Sequence, residues 1–267
     1  MKKLFAVVLT LAALLGLAAC GGEESAVVAT DGSTSMEKVV GVLGESFTVL
    51  HPQVSVTYNP TGSGAGLAAV SEGRCDIGLS SRELSEEEAA AGLTPTLLAY
   101  DAIAVVVSPD NPVSSISLKD LTAVYQGSIT NWQELGGEDA EIVLIGREAG
   151  SGTRDGFEAA IASPDKCAYR QELTSTGDVI ATVAQNPQAI GYASLAAVKD
   201  SVKTLGVDDV LPSESSVKNG SYPIQRPFLL VTKTGAELSQ EAQAFIYYAL
   251  SPEAAELIAG AGAVPAI

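Results

Sequence analysis

The chain has 267 residues, a formal net charge of −17 at pH 7 and a hydrophobic fraction of 46%. That length is enough for one large domain or two modest domains with cores of their own. The acidic surplus argues against nucleic acid and anionic lipid surfaces as partners, because both repel a negative surface. No C-x-x-C motif, EF-hand loop or second histidine beside His51 occurs, so the sequence predicts no metal, no other cofactor and no catalytic residue that depends on histidine.

The N-terminal segment has the features of an export signal. Two lysines precede the apolar run Leu4–Leu17, which is too short to span a bilayer comfortably. The run ends in Leu17-Ala18-Ala19-Cys20-Gly21, which resembles the bacterial lipobox. We therefore expect residues 1–19 to be a lipoprotein signal peptide, Cys20 to carry the lipid and residues 20–26 to form a tether. The protein would then be extracytoplasmic and anchored to the cell membrane, whereas an ordinary cleaved signal would leave Cys20 without a role.

Two further cysteines, Cys75 and Cys167, remain in the exported part of the chain. An even number of thiols in an oxidising compartment favours a disulfide between them. Two buried free thiols are the alternative, since sequence alone does not show whether the two Cβ atoms approach one another.

Short apolar strands alternate with helix-like stretches along the chain. In chain order the pattern predicts a strand at Val27–Thr30, a helix from Ser35 to about Leu50, a strand at Val54–Tyr58, a helix from Leu67, a strand at Asp76–Ser80, a helix from the capping box at Ser85–Glu88 and a strand at Ala102–Ser108. It then predicts a helix at Ser117–Tyr125, a strand at Ile142–Gly146, helices at Thr153–Ala162 and Asp178–Gln185, a strand at Phe228–Thr232 and helices from about Leu238 to Ala259. This alternation predicts an α/β fold with mostly parallel strands.

In three segments, a predicted strand leads through a Gly/Ser/Thr turn into a predicted helix. They are Asp31–Ser35, Thr61–Gly66 and Gly150–Thr153. Free N–H groups and the partial positive charge of a helix N-terminus make such turns suited to anions. Any one of them alone is more typical of helix capping, but three together favour an oxyanion site.

Arg147 ends the predicted strand just before the third turn and can give two parallel hydrogen bonds to an oxyanion. A salt bridge to Glu148 is the alternative, and the two roles are compatible. The sequence contains no nucleotide P-loop, and Leu67 stands where a dinucleotide fingerprint needs its third glycine.

Four stretches resemble the phosphate-binding proteins of bacterial phosphate ABC importers. They are Gly146–Arg154, Asp76–Arg82, Gln185–Tyr192 and Asn131-Trp132. The resemblance implies a two-lobed periplasmic-binding-protein-like (type II) fold that encloses inorganic phosphate. It also implies a monomer that delivers the ligand to the membrane permease of an ABC importer.

The resemblance further implies two lobes, one of residues 27–103 plus 232–267 and the other of residues 104–231. The crossover strands would be Ala102–Ser108 and Phe228–Thr232. One lobe would then contribute Thr34, Ser35 and Ser63 to the ligand, and the other would contribute Arg147, Ser151, Gly152 and Thr153.

One position departs from the family's pattern. Better-known members have an aspartate near the position of Ser81, where it accepts a hydrogen bond from the proton of phosphate. Ser81 can still accept through its oxygen, but it excludes sulfate less strongly. Asp101 could replace the missing acceptor or be purely structural, and Arg82 could contact the ligand or form a surface salt bridge. A receptor for sulfate or another tetrahedral oxyanion therefore remains an alternative.

A penicillin-recognising serine enzyme is the rival from another class. Ser35-Met36-Glu37-Lys38 matches S-x-x-K and Lys233-Thr234-Gly235 matches K-T-G, with Ser35 as nucleophile and Lys38 as base. No S-D-N motif lies between them, and this reading leaves the segment from Arg147 to Thr153 without a use. We therefore expect a binding protein rather than an enzyme.

Overall fold

A computed structural model describes residues 25–267. The predicted signal peptide and the predicted lipidation site, Cys20, lie outside this range. Between residues 25 and 267, no helix combines the length and the apolar character that crossing a bilayer requires.

The structure alternates strands and helices as the sequence predicts. The strands are β1 (Ala26–Gly32), β2 (Val54–Asn59), β3 (Ile77–Ser80), β4 (Leu93–Val107), β5 (Ser115–Ile116), β6 (Val143–Arg147), β7 (Gln171–Leu173), β8 (Ala189–Ser194), β9 (Lys203–Thr204), β10 (Gly206–Val207), β11 (Gln225–Lys233) and β12 (Val264–Pro265). The α-helices are α1 (Glu37–Leu50), α2 (Ser63–Ser71), α3 (Glu86–Ala90), α4 (Leu118–Tyr125), α5 (Gly152–Ala160), α6 (Thr176–Gln185), α7 (Glu214–Lys218), α8 (Gln240–Ala249) and α9 (Pro252–Gly260). Short 3₁₀ turns lie at Thr34–Met36, Trp132–Leu135 and Leu195–Ala197.

The central sheet has the strand order β2-β1-β3-β11-β4-β8-β6-β7, and β9 and β12 also pair with β4. Its outer strands are parallel, as helical crossovers require: β1 pairs with β2 and β3, and β6 pairs with β7 and β8. The pairs in the middle, which involve β4 and β11, are antiparallel. The prediction of mostly parallel strands is therefore confirmed for the outer strands and wrong for the centre of the sheet.

The two long strands β4 and β11 connect the halves of the molecule. β4 pairs with β11 as far as Ala102 and with β8 from Ile103 onward. At this change of partner Arg226 lies opposite Asp101, and the Ile103 N–H donates to the Ile224 carbonyl at 2.9 Å. The two-lobed α/β architecture with two crossover strands is thus confirmed.

Each half has its own apolar core. Val28, Phe47 and Phe228 belong to one core, whereas Tyr125 and Tyr192 belong to the other. Burying one such side chain stabilises the fold by about 1.5–3 kcal/mol, so each half has its own source of stability. The lobe boundaries drawn from sequence stay a prediction. Phe228 packs in the same core as Val28 and Phe47. This packing favours a second lobe boundary before Phe228 rather than at residue 231.

The expected disulfide is absent, because Cys75 and Cys167 are free thiols. Cys75 packs beside the small core of Leu67 and Val70, and Cys167 packs against the core that contains Tyr125. The two cysteines belong to separate cores, and burial raises the pKa of both thiols to about 11. The even number of thiols was therefore a misleading signal.

Candidate functional site

Buried hydroxyl groups from both halves meet where the halves face one another. The Ser35 Oγ lies 2.8 Å from the Thr153 Oγ1, and the Thr34 Oγ1 lies 3.0 Å from the Thr176 Oγ1. The Ser63 and Ser81 hydroxyls complete the group at 3.2 Å from each other. We call these six residues the hydroxyl cluster: Thr34, Ser35, Ser63, Ser81, Thr153 and Thr176. All are buried, so a ligand that they bind would be shielded from water.

Helix starts position most of the hydroxyl cluster. Ser63, Thr153 and Thr176 lie in the first turns of α2, α5 and α6. Ser151 caps α5 by accepting a hydrogen bond from the Arg154 N–H, so its hydroxyl has the capping role as well as any ligand role. The predicted convergence of the three turns is confirmed. The N-termini of these helices give the site partial positive charge without a titrating group.

The two halves approach each other closely beside these hydroxyls. The Gly64 N–H donates to the Gly150 carbonyl at 3.0 Å across the interface. A Cβ atom on Gly152 would lie 2.3 Å from the Ser63 Oγ and 2.8 Å from the Ser81 Oγ. Only glycine therefore fits at the start of α5 in this closed arrangement.

Arg147 forms the predicted salt bridge to Glu148 and also reaches the hydroxyl cluster. Its Nη2 donates to the Glu148 Oε1 at 2.9 Å, and its Nε donates to the Leu173 carbonyl at 3.1 Å. Its Nη1 points the other way and donates to the Thr176 Oγ1 at 3.3 Å. The salt bridge to Glu148 is present, and one edge of the guanidinium still faces the hydroxyl cluster.

A second buried arginine, Arg226, was missed from sequence. Its Nη1 donates to the Thr153 Oγ1 at 2.7 Å and to the Ser81 Oγ at 3.2 Å. Its Nη2 donates to the Asp101 Oδ2 at 2.9 Å in a buried ion pair. Burial raises the pKa of Asp101, and the adjacent Arg226 opposes that rise. The position of Arg226 directly before the apolar run Pro227–Val231 was the available signal.

Thr176 is the second residue that the sequence analysis missed. Its Oγ1 lies 3.1 Å from the Ser35 Oγ, and its N–H donates to the Thr34 Oγ1 at 3.3 Å. The signal was present in Ser175-Thr176-Gly177, a polar turn that opens α6 just as the other three turns open their helices.

The structure places Arg82 beside the hydroxyl cluster rather than within it. Its two terminal nitrogens donate to the Glu88 carboxylate at 2.7 and 2.8 Å. Its Nε lies 2.8 Å from the Asp155 Oδ2 on α5, in the opposite half. Arg82 lowers the pKa of Glu88 to about 2, so the Glu88 side of this bridge is charged at neutral pH. Arg82 thus joins the two halves through carboxylates.

The serine-enzyme motifs do not form a reactive pair. Ser35 is buried, and its Oγ is hydrogen-bonded to the hydroxyls of Thr153 and Thr176. Lys38 is exposed on α1, and Lys233 donates to the Ser71 carbonyl. Between residues 25 and 267, neither lysine is hydrogen-bonded to the Ser35 hydroxyl. The same range, residues 25–267, holds no cluster of three or more metal-ligating side chains.

Comparison with known proteins places this fold and site in a family. A sequence model of the PBP superfamily domain matches residues 21–253. The phosphate-binding protein PstS of Bacillus subtilis is 34% identical over 242 residues, which cover 84% of this chain and 81% of that protein.

Two solved structures share the fold over nearly their whole length. One, from Clostridium perfringens, is described as a phosphate ABC transporter substrate-binding protein with bound phosphate. It is 38% identical with a TM-score of 0.88, over 90% of this chain and 100% of that one. The other is an ABC-type phosphate transport receptor from Vibrio cholerae, 32% identical with a TM-score of 0.73, over 89% and 99% of the two chains. The chain therefore belongs to the PstS family of phosphate-binding proteins within the PBP superfamily.

Proposed function

We propose that this protein binds inorganic phosphate outside the cytoplasm and delivers it to the membrane permease of an ABC importer. The observation that carries the proposal is the contact between hydroxyls of opposite halves, above all Ser35 with Thr153 at 2.8 Å. Donors from both halves can surround a tetrahedral anion only when the halves close on it. The names of the PstS relatives supply the choice of phosphate as that anion.

The proposed ligand donors are the hydroxyl cluster, Arg147 and the start of α5. From one half come Thr34, Ser35, Ser63 and Ser81, and from the other come Arg147, Ser151, Gly152, Thr153 and Thr176. Together they offer hydroxyls, backbone N–H groups and a guanidinium edge in a buried site, where each bond to an anion is stronger than in water. Arg82, with its nitrogens facing Glu88 and Asp155, is assigned to closure of the lobes rather than to ligand contact.

In this proposal the protein is a monomeric binding protein and not an enzyme. Cys20 would carry the lipid that holds it to the membrane, with residues 20–26 as the tether. This anchor keeps the closed protein near the permease. Neither nucleic acid nor anionic lipid is proposed as a partner, because the acidic surface repels both. Replacing Cys20 with serine is the direct test, because release of the protein from the membrane fraction supports the anchor.

We expect phosphate to raise the melting temperature of the purified domain from residue 25 onward. A ligand that binds only the folded state, present at a hundredfold excess over Kd, stabilises it by about 2.7 kcal/mol. For a chain of this size that corresponds to an increase of roughly 5–10 °C. Differential scanning calorimetry with sodium chloride at equal ionic strength as the control measures it. No increase with millimolar phosphate, together with an increase from a different solute, would reject phosphate as the ligand.

Replacing Arg82 with alanine is expected to weaken phosphate binding roughly 1.4- to fivefold. The bridge to Asp155 joins the two halves only when they are closed, and a partly exposed pair contributes about 0.2–1 kcal/mol. Isothermal titration calorimetry measures the change, and Arg74→Ala is the matched control. Arg74 pairs with Glu72 on the surface of the same half, so its loss should leave the affinity unchanged. An Arg82 variant with wild-type affinity would show that the bridge does not favour closure.

A further inference from the structure

Arg226 is a second buried cation whose guanidinium reaches the hydroxyl cluster. Its side chain is 2% exposed, and its Nη1 lies within hydrogen-bond distance of hydroxyls from both halves. Thr153 belongs to one half and Ser81 to the other. One N–H edge of the Arg226 guanidinium therefore faces the place where hydroxyls from the two halves meet.

Asp101 holds the opposite edge of the Arg226 guanidinium. Its Oδ2 accepts from the Arg226 Nε at 3.0 Å and from the Nη2 at 2.9 Å. Its Oδ1 accepts from the Ser194 Oγ at 3.0 Å. Both carboxylate oxygens are thus engaged on the side of Arg226 that faces away from the hydroxyl cluster. Register in the sheet places the two residues directly opposite one another on β4 and β11.

Arg147 and Arg226 are arranged in the same way. Each guanidinium has a carboxylate on one side, Glu148 or Asp101, and a hydroxyl of the cluster, Thr176 or Thr153, on the other. A buried anion is costly unless it is hydrogen-bonded, and two guanidinium edges offer it more charge-assisted hydrogen bonds than one.

We propose that Arg226 binds the anion directly beside Arg147, and that Asp101 acts only through Arg226 as a positioning residue. Asp101 is then not the acceptor for the proton of phosphate, and that acceptor must come from a hydroxyl oxygen of the cluster. This inference rests on the proposed function, because it names a further donor and excludes an acceptor at the same site.

Replacing Arg226 with glutamine tests the direct contact. Loss of one buried, charged partner of an anion lowers affinity by at least about 30-fold, and we expect that loss for both phosphate and sulfate. Isothermal titration calorimetry measures both anions, and Arg170→Gln, at an exposed arginine, is the control for the lost charge. An Arg226→Gln protein with wild-type affinity for phosphate would overturn the direct contact.

The Asp101→Asn variant separates positioning from proton acceptance. If Asp101 acts through Arg226, the substitution changes phosphate and sulfate affinity by the same factor, and that change disappears in the Arg226→Gln background. If Asp101 accepts the phosphate proton, the substitution weakens phosphate selectively and does so in both backgrounds. This second result would overturn the positioning role.

If Arg226→Gln alone fails to fold, the double variant Asp101→Asn/Arg226→Gln replaces it in the test, because it removes the uncompensated Asp101 charge together with the cation. Its phosphate affinity is then compared with that of Asp101→Asn alone, and an equal affinity would overturn the inference. The wild-type titration is made first. A wild-type protein that binds no phosphate rejects the proposed function itself, whereas variants that bind like wild type reject only the role of Arg226.

Discussion

Replacing Arg147 with alanine is expected to weaken phosphate binding by about 2–5 kcal/mol, which is roughly 30- to 5,000-fold in Kd. The side chain is 1% exposed, and its Nη1 faces the hydroxyl cluster while its other nitrogens are held by Glu148 and the Leu173 carbonyl. A guanidinium that is already oriented loses little entropy when it binds, so most of its attraction to the anion contributes to affinity.

Isothermal titration calorimetry measures this effect, with Arg170→Ala as the control for net charge. Arg170 is exposed in the same half of the molecule, and its loss should change the affinity little. Circular dichroism at the titration temperature verifies that both variants are folded. A folded Arg147→Ala protein with unchanged affinity would remove Arg147 from the site.

The Gly152→Ala variant is expected to weaken phosphate binding by about 1–3 kcal/mol, roughly 5- to 150-fold. The added Cβ would lie 2.3 Å from the Ser63 Oγ, so the two halves could not reach the arrangement that surrounds the anion. Gly152 opens α5 and its φ lies outside the left-handed region, so alanine is compatible with the helix itself. The open protein should therefore remain stable while closure is impaired.

Gly260→Ala is the matched control, since it lies at the end of α9 and a Cβ there meets no atom within 4 Å. We expect the Gly260 variant to bind phosphate like wild type. Small-angle X-ray scattering with and without phosphate would show the compaction on closure, which the Gly152 variant should fail to reach. Full compaction and wild-type affinity in that variant would show that the close contact with Ser63 is not needed for binding.

The outer parts of the fold could be predicted from sequence because local patterns determine them. Ser85 and Glu88 form the capping box that their spacing predicts, and α1 ends where His51-Pro52 closes its apolar pattern. The N-terminal part of β4 was missed because Pro95 and its threonine neighbours hide the strand, although Pro95 pairs with Val231. The antiparallel centre depends on pairing between residues more than eighty positions apart, which no local pattern encodes.

Most candidate site residues at helix starts were predicted, although Thr176 was missed, whereas Arg226 was missed because its position depends on the sheet. Ser35, Ser63 and Thr153 lie in turns whose composition already indicates anion binding. Arg226 reaches the same place only because β11 lies beside β4 and puts it opposite Asp101. Its role therefore becomes visible only once the register of two distant strands is known.

Ser81 stands where better-known family members have an aspartate, and the sequence analysis only partly predicted how the structure arranges the groups around it. Asp101 was considered as a replacement acceptor, and the structure instead pairs its carboxylate with Arg226 and Ser194. Ser81 receives a hydrogen bond from the Ser33 Oγ at 2.8 Å and one from the Arg226 Nη1. The buried charges of this site thus balance as arginine–carboxylate pairs, and the ligand is left to hydroxyls and the free edges of the two guanidiniums.

Isothermal titration calorimetry of the wild-type domain with phosphate and with sulfate tests the central claim most directly. A hydroxyl oxygen of the cluster can accept the proton of phosphate, and one unmade buried hydrogen bond costs about 1–3 kcal/mol. We therefore expect one phosphate per chain, bound at least about fivefold more tightly than sulfate. Equal or tighter binding of sulfate, or no heat of binding with phosphate, would contradict the assignment of this protein as a phosphate receptor.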